Sequence, residues 1–161
     1  MSKRETIAGN VITVLDNVTS PIEFKKITRE PFDPEELSNA QFPAMFISTG
    51  DETREDHTLG ASGTGLRNGT IDFVIIGFVK GTETNIDTKR NQIIEVIEET
   101  LDADRTRGGN ALETKIVEVS SDEGTLYPLG GVRIVIRVLY EFTNSNDVTF
   151  VISLYLTVCL Y

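Results

Sequence analysis

The residues best able to carry out chemistry lie in one short acidic run in the middle of the chain. Asp51, Glu52, Glu55 and Asp56 supply four carboxylates, and His57 supplies an imidazole, within seven consecutive positions. Such a set could bind a hard cation or hold a general base. The run lacks the alternate-residue ligands and the turn glycine of a calcium loop. A solvent-exposed acidic loop that contacts a partner is therefore the better interpretation.

A glycine-rich run follows and resembles a nucleotide-binding loop. Gly60, Gly63 and Gly65 have spacing that would let the backbone approach a pyrophosphate. In dinucleotide-binding folds such a loop follows a buried strand and opens a helix, whereas here a charged run precedes it and an apolar strand pattern follows at Ile71. We expect no bound cofactor. The alternative function is a small α+β ligand-binding or regulatory module that uses residues 60–65.

The rest of the chain offers no catalytic set and no metal site. A serine or cysteine nucleophile needs a base and an orienting group, and His57 is the only histidine. Cys159, the only cysteine, lies in an apolar stretch where a thiol is usually inert. These counts exclude an internal disulfide and a Cys/His structural zinc site. We expect a protein that is not an enzyme.

Composition and charge narrow the functional classes further. The chain has 161 residues, of which 39% are hydrophobic and 25% charged, which is typical of one globular domain. Its net charge of −10 argues against a reader of duplex DNA, which needs a basic patch. We expect no secretory signal, and therefore synthesis in the cytoplasm. Residues 148–161 are apolar, but they are too few for a membrane-spanning helix.

Hydrophobic periodicity predicts an α+β fold with a single mixed or antiparallel sheet packed by two main helices. Helical spacing begins near Ile7 and again near Ile86, where Thr84 and Asp87 have the spacing of a capping box. Asp33 is placed to cap a single turn. Strand patterns cover residues 22–27, 44–49, 67–80, 112–119 and 132–142; the third is apolar enough to be covered on both faces.

Two segments stand apart from this pattern. Residues 50–69 are expected to form a long exposed loop or a flexible hairpin extension. Residues 1–147 would then form the α+β domain, and residues 148–161 an extended C-terminal strand or arm. In a monomer this arm would expose a large apolar patch, so it either completes its own sheet or adds to the edge of another subunit. Its predicted contact residues are Phe150, Ile152, Leu154, Leu156, Val158 and Tyr161.

The end of the second helix is rich in charges of both signs. Asp102 and Asp104 are followed closely by Arg105 and Arg107. This pattern indicates a polar helix terminus, or equally one half of a charged contact with a neighbouring subunit.

Three local patterns and their order resemble the tail terminator, or tail completion, proteins of long-tailed bacteriophages. They are Phe42-Pro-Ala-Met-Phe-Ile47 entering a strand, the polar insertion before Ile71, and Thr125-Leu-Tyr-Pro-Leu-Gly-Gly131 leading into a strand that ends in Tyr140-Glu-Phe142. The resemblance covers about residues 7–143. The apolar end, residues 148–161, is longer than the family leads one to expect.

The resemblance implies a homo-oligomeric ring, a hexamer, that caps the tail tube, stops its polymerisation and joins the tail to a head-proximal connector or stopper protein. DNA would pass through the lumen without specific binding, as the acidic charge suggests. The protein would then reside in the tail neck of the virion and not in a membrane. On this hypothesis the residues that contact the tube or connector are Asp51, Glu52, Arg54, Glu55, Asp56, His57, Leu59 and Arg67. Contacts between subunits would use the charged helix end and the C-terminal arm.

Overall fold

The computed structural model describes residues 2–56 and 65–143. These form one five-stranded mixed sheet and two helices, which confirms the predicted α+β class. The elements are α1 (Lys3–Asp16), β1 (Lys26–Thr28), two short 3-10 turns (Pro34–Glu36 and Asn39–Gln41), β2 (Ala44–Asp56), β3 (Leu66–Lys80), α2 (Ile86–Asp102), β4 (Glu113–Ser121) and β5 (Leu129–Thr143). The strand order is β1-β2-β3-β5-β4, in which β1 is parallel to β2 and the other neighbours are antiparallel.

The helix ends show which local signals the chain uses. Ser2 caps α1, because its hydroxyl accepts a hydrogen bond from the backbone N–H of Glu5 at 3.3 Å. Asp33 caps the first 3-10 turn as predicted. The capping box predicted at Thr84 is wrong: Asn85 is the residue before α2, and its side chain accepts from the backbone N–H of Thr82 at 2.8 Å. The asparagine thus stabilises the preceding turn.

Strand β1 is shorter than the predicted strand at residues 22–27 and lies further along the chain. Only Lys26–Thr28 pair with β2, in register with residues 44–46. The chain reaches the sheet one residue earlier, where the N–H of Lys25 donates to the carbonyl of Pro43 at 2.8 Å. A proline carbonyl can accept such a bond but Pro has no N–H to return it. The ladder therefore begins after this residue.

Both helices pack on one face of the sheet and form the core there. Alternate residues of the central strands face the helices, as the period of two requires. The prediction that β3 is covered on both faces is wrong, because Asp72, Val74 and Ile76 on its other face are only half-buried. The buried residues that carry this core are Ile7, Val11, Leu15, Met45, Ile47, Ile71, Phe73, Ile75, Ile93, Ile97, Leu101, Ile134, Ile136 and Val138.

Aromatic side chains cover one end of the second face. Phe32, in the segment between β1 and β2, has its ring 5.6 Å from that of Phe46 and 5.9 Å from that of Phe78. Lys26 lies over the ring of Phe32 at 4.6 Å. Beyond this aromatic cluster, no described helix covers the second face, which we call the open face.

Alanine substitutions at two glycines are expected to change the stability of the fold in opposite directions. The buried ring of Tyr140 lies against Gly69 of β3, where an added Cβ would be 2.5 Å from the Cζ atom of that ring. A Cβ added at Gly9 in α1 would meet nothing within 4 Å. We expect Gly69→Ala to lower the free energy of unfolding by about 1–3 kcal/mol through overpacking. Gly9→Ala should raise it by about 0.5–1 kcal/mol, since alanine favours a helix. Urea denaturation of both variants tests this pair, and equal stabilities would contradict it.

Candidate functional site: the hairpin extension

Most of residues 50–69 belongs to paired strands, which decides between the two predicted forms of this segment. Strand β2 runs to Asp56 and stays paired with β3, with Glu52 opposite Ile71 and Asp56 opposite Arg67. The segment is therefore a hairpin extension, and the alternative of a loop over its whole length is corrected. Residues 57–64, which include His57, Leu59 and most of the glycine-rich run, lie outside the described residues.

A β-bulge in β2 decides which way the acidic side chains point. Thr49 pairs with Phe73 but Glu52 pairs with Ile71, so β2 has one residue more than β3 in this interval. A bulge of this kind reverses the alternation of faces along the bulged strand. Since Ile71 faces the helices, Glu52 faces them too. The exposed side chain of Asp51 instead lines a groove on the open face.

Glu52 is the centre of a polar cluster that joins three elements. Its Oε1 accepts hydrogen bonds from the hydroxyl of Tyr140 at 2.8 Å and from Nε of Arg54 at 2.5 Å. Its Oε2 lies 2.6 Å from Nε of Arg4 in the first turn of α1. Arg54 also lies over the ring of Phe142 at 5.0 Å. We call Glu52, Arg4, Arg54 and Tyr140 the Glu52 cluster; it fastens α1 to the hairpin extension.

The electrostatics of the Glu52 cluster favour the ionised carboxylate. Burial raises the pKa of Glu52, but the hydrogen bonds from Arg54 and Tyr140 and the charge of Arg4 outweigh it, so the pKa lies below its ordinary value. Burial and the bond to Glu52 raise the pKa of Tyr140, which stays protonated and donates. The side chain of Glu52 is only 9% exposed. This corrects its assignment as a contact residue, because its carboxylate is engaged within the chain.

The other described residues of the predicted contact set remain on the surface of the hairpin extension. Asp51, Arg54, Glu55 and Asp56 are exposed, and Arg67 is half-buried. Arg67 forms an ion pair with Asp56, with 2.9 Å between Nε and Oδ1. The hairpin extension thus presents the exposed carboxylates of Asp51 and Glu55 beside the ion pair of Arg67 with Asp56.

The open face carries a shallow groove of about 470 Å³ between the bulge of β2 and strand β4. Arg137 forms two hydrogen bonds of 2.8 Å with the carboxylate of Asp72, and the bond lowers the pKa of that carboxylate. Arg133 donates to Glu118 at 2.6 Å. These four charges are paired across neighbouring strands, so the groove holds no excess charge from them to bind an ionic cofactor.

The charged end of α2 divides into exposed and internal residues. Asp102 is exposed, and Arg105 reaches β4, where its Nη2 donates to Glu113 at 2.8 Å. Asp104 organises the following turn by accepting hydrogen bonds from Thr106 and from the N–H of Gly108 at 2.6 Å. The carboxylate of Asp104 is thus engaged locally.

Arg107 is fully buried, which corrects its prediction as a contact residue between subunits. Its φ of 51° turns the chain inward, and its Nη2 donates to the carbonyls of Leu101 and Asp104. Burial lowers the pKa of its guanidinium, and the charges of Asp104 and Asp102 act against that shift. The guanidinium thus donates hydrogen bonds to backbone carbonyls at and just after the C-terminal end of α2. The sequence signal was the pair of glycines that follows it, which permits a tight left-handed turn.

Three features considered in the sequence remain: the C-terminal arm, metal binding and membrane spanning. The residues of the C-terminal arm, Phe150, Ile152, Leu154, Leu156, Val158 and Tyr161, lie outside the described residues. Within residues 2–56 and 65–143, no group of three or more His, Cys, Asp or Glu side chains is arranged to hold a metal ion. In the same ranges, no helix is both long enough and apolar enough to cross a bilayer.

Sequence reasoning missed the parts that Arg4 and Tyr140 play in the Glu52 cluster. Arg4 is an ordinary charged residue near the start of the chain, and Tyr140 fits an alternating strand pattern. Gly69 was the available signal, because a glycine within a strand often marks a close approach of another group. It lies opposite Tyr140 in the sheet.

Acid should weaken the fold partly through the Glu52 cluster. A carboxylate whose pKa is lowered by folding stabilises the folded state at pH values above its ordinary pKa, which is 4.5 for Glu52. This stabilisation is lost as the pH falls through the lowered pKa of the folded state. We expect Glu52→Gln to lower the free energy of unfolding by roughly 1–3 kcal/mol at pH 7. The variant should lose less than the wild type between pH 7 and pH 3.

Urea denaturation at both pH values measures this difference, with Glu95→Gln on the exposed side of α2 as the control. If Glu52→Gln and the wild type lost the same stability on acidification, the lowered pKa of Glu52 would be refuted.

Comparison with known proteins finds structural similarity at a low level and no match at the level of sequence. No protein-family model and no curated protein sequence matches the chain. Among solved structures the chain is similar to a chain of the virion of a native gene transfer agent (GTA) particle. The two share 10% sequence identity with a TM-score of 0.35, over 88% of this chain and 92% of the other. The resemblance to tail terminator proteins remains a prediction from the sequence patterns.

Proposed function

We propose that this chain is a structural virion protein that forms a ring, caps the tail tube, terminates its polymerisation and joins the tail to the head-proximal connector. In this role it would act in the tail neck by shape and strand complementarity and carry out no catalysis. The tube protein and the connector or stopper protein would be its partners, with DNA passing through the lumen. The proposal starts from the sequence resemblance and is supported by the positions of the three resembling patterns.

Those patterns lie at the two opposite ends of the sheet. The pattern from Phe42 enters β2, and the pattern from Thr125 forms the turn between β4 and β5, both at one end. The polar insertion lies at the other end, where β2 and β3 extend. Strand β3 has 15 residues, which corresponds to about 50 Å at ~3.3 Å per residue. A protein that ends a tube and joins it to a second component needs two such separate ends.

The hairpin extension is the observation that carries the proposal. Strand β4 begins opposite Leu139, so residues 54–56, 66–69 and 140–143 continue as a three-stranded projection beyond it. The Glu52 cluster attaches this projection to α1. The strands that residues 57–64 connect are therefore held in place by the helix. A partner-binding loop works best when a rigid scaffold positions it. The exposed acidic residues Glu55 and Asp56 lie on the same projection.

Replacing residues 57–64 with the dipeptide Asn-Gly, which leaves a four-residue connection between the paired residues Asp56 and Arg67, tests this assignment. The strands and the Glu52 cluster stay, so the melting temperature should change by only a few degrees. Capping should be lost because the contact loop is gone. The measurement is the length of tail tubes that the cognate tube protein forms in the presence of the variant, scored by electron microscopy.

A matched control is the double variant Glu95→Ala and Glu99→Ala, which changes exposed side chains of α2 away from the hairpin extension. It should limit tube length as the wild type does. A loop-replaced protein that still capped tubes would overturn the assignment of this loop to the tube or connector contact.

A further inference from the structure

Strand β4 is an edge strand with exposed apolar side chains. In the described residues its only strand neighbour is β5. Three of the six large hydrophobic side chains that are exposed in those residues lie on β4 or directly before it: Leu112 at 50%, Val117 at 45% and Val119 at 40%. A β-bulge at Val117 turns both this side chain and Glu118 to the open-face side. An apolar edge of this kind is a template for another strand.

The charges on β4 are already paired within the chain. Glu113 lies 2.8 Å from Arg105 and 3.1 Å from Lys115, and Glu118 lies 2.6 Å from Arg133. An added strand would therefore need no countercharges of its own. It should be uncharged and apolar at alternate positions.

The opposite edge of the sheet differs. Beyond its short pairing with β1, strand β2 carries the exposed carboxylates of Asp51 and Glu55. Charged side chains of this kind protect an edge strand from pairing. Of the two edges, β4 is the one suited to receive an apolar strand.

We propose that the outer edge of β4 (Glu113–Ser121) binds the apolar C-terminal segment, residues 148–161, of a second copy of the chain. That segment has no Lys, Arg, Asp or Glu, and it alternates Phe150, Ile152, Leu154 and Leu156 with smaller or more polar residues. Its 14 residues exceed the nine of β4, so it is long enough to pair along the whole edge. The inference rests on the proposed homo-oligomer and names the joint between its subunits.

The topology favours a second copy over the same chain as the donor. Strand β5 ends at Thr143, only four residues before the segment begins, at the end of the sheet where β4 starts. To reach the outer edge of β4 in its own chain, the segment would have to pass the start of β4, at the same end of the sheet where the connection from α2 enters that strand. Connections rarely cross one another at the same end of a sheet. A neighbouring copy meets no such obstruction.

A joint of this kind is heterologous, because the segment of one copy binds the edge of the next. Repeated contacts of this type close into a ring when the rotation between copies permits it. Each ring member would then have its apolar segment covered and its β4 edge paired.

One charge on the edge should break the joint. We expect Val119→Lys to raise the concentration at which the full-length chain assembles by about tenfold or more, since a lysine on an edge strand opposes pairing. Leu126→Lys is the matched control: it introduces the same charge at a side chain that is 42% exposed in the turn after β4. Light scattering over a concentration series measures both, with thermal melts to show that each variant folds.

Crosslinking to the native Cys159 identifies the donor. One tagged chain carries Lys115→Cys together with Cys159→Ser, and an untagged wild-type chain keeps Cys159. A short bis-maleimide should join the two different chains in high yield. A parallel mixture with Ser120→Cys shows, by its relative yield, which end of β4 lies near residue 159.

The outcomes separate the joint from the proposed function. A crosslink between chains, together with loss of assembly in Val119→Lys, supports the joint. A third chain carries Lys115→Cys and keeps Cys159; a crosslink within this chain, with none between the two different chains, overturns the second copy as donor. An assembly that is unchanged in Val119→Lys and gives no crosslink overturns the joint. In the last case tube capping by the wild type would still support the proposed function.

Discussion

The uninterrupted pairing of β3 with β5 is the constraint on which the other elements depend. All 15 residues of β3, from Leu66 to Lys80, pair with β5 in one antiparallel register. Because side chains alternate along both strands, this register places one apolar set of each strand under the two helices. A shift by one residue would move that set to the open face. The sites of β2 on one side and of β4 on the other follow from this central pair.

The two outer partners each depart from regular pairing by one residue. The bulge in β2 turns Glu52 toward the helices, where Tyr140 and Arg4 reach it. The bulge in β4 brings Val117 to the open-face side beside Glu118. Without these bulges the same sequence would present different side chains at both places. The central pair thus fixes the sheet, and the bulges decide which residues its edges and faces offer.

In the part of the chain that the structure describes, a sheet face without a covering helix and an apolar edge strand fit the proposed assembly among copies of this chain. A sheet in a monomer is usually protected by charges, by short edge strands or by covering segments. Here β2 has the protection of charge, whereas β4 exposes valine side chains and has its charges paired internally. The hairpin extension lies at one end of the same sheet and is held by the Glu52 cluster. Assembly through one part of the sheet and partner contact through another can therefore coexist in one small domain.

The sequence by itself determined the elements whose pattern is local. The periods of α1, α2, β3 and β5 follow from backbone geometry, and the cap at Asp33 needs only its own turn. The tertiary structure decided what depends on distant partners. It extended β2 through the acidic residues as far as Asp56 and buried the side chain of Arg107. It also put Asn85, and not Thr84, at the position before α2. It also joined Glu52 to Tyr140, 88 positions away. The reason is physical: a bulge or a buried charge is stable only against its neighbours, and local sequence does not specify which neighbours those will be.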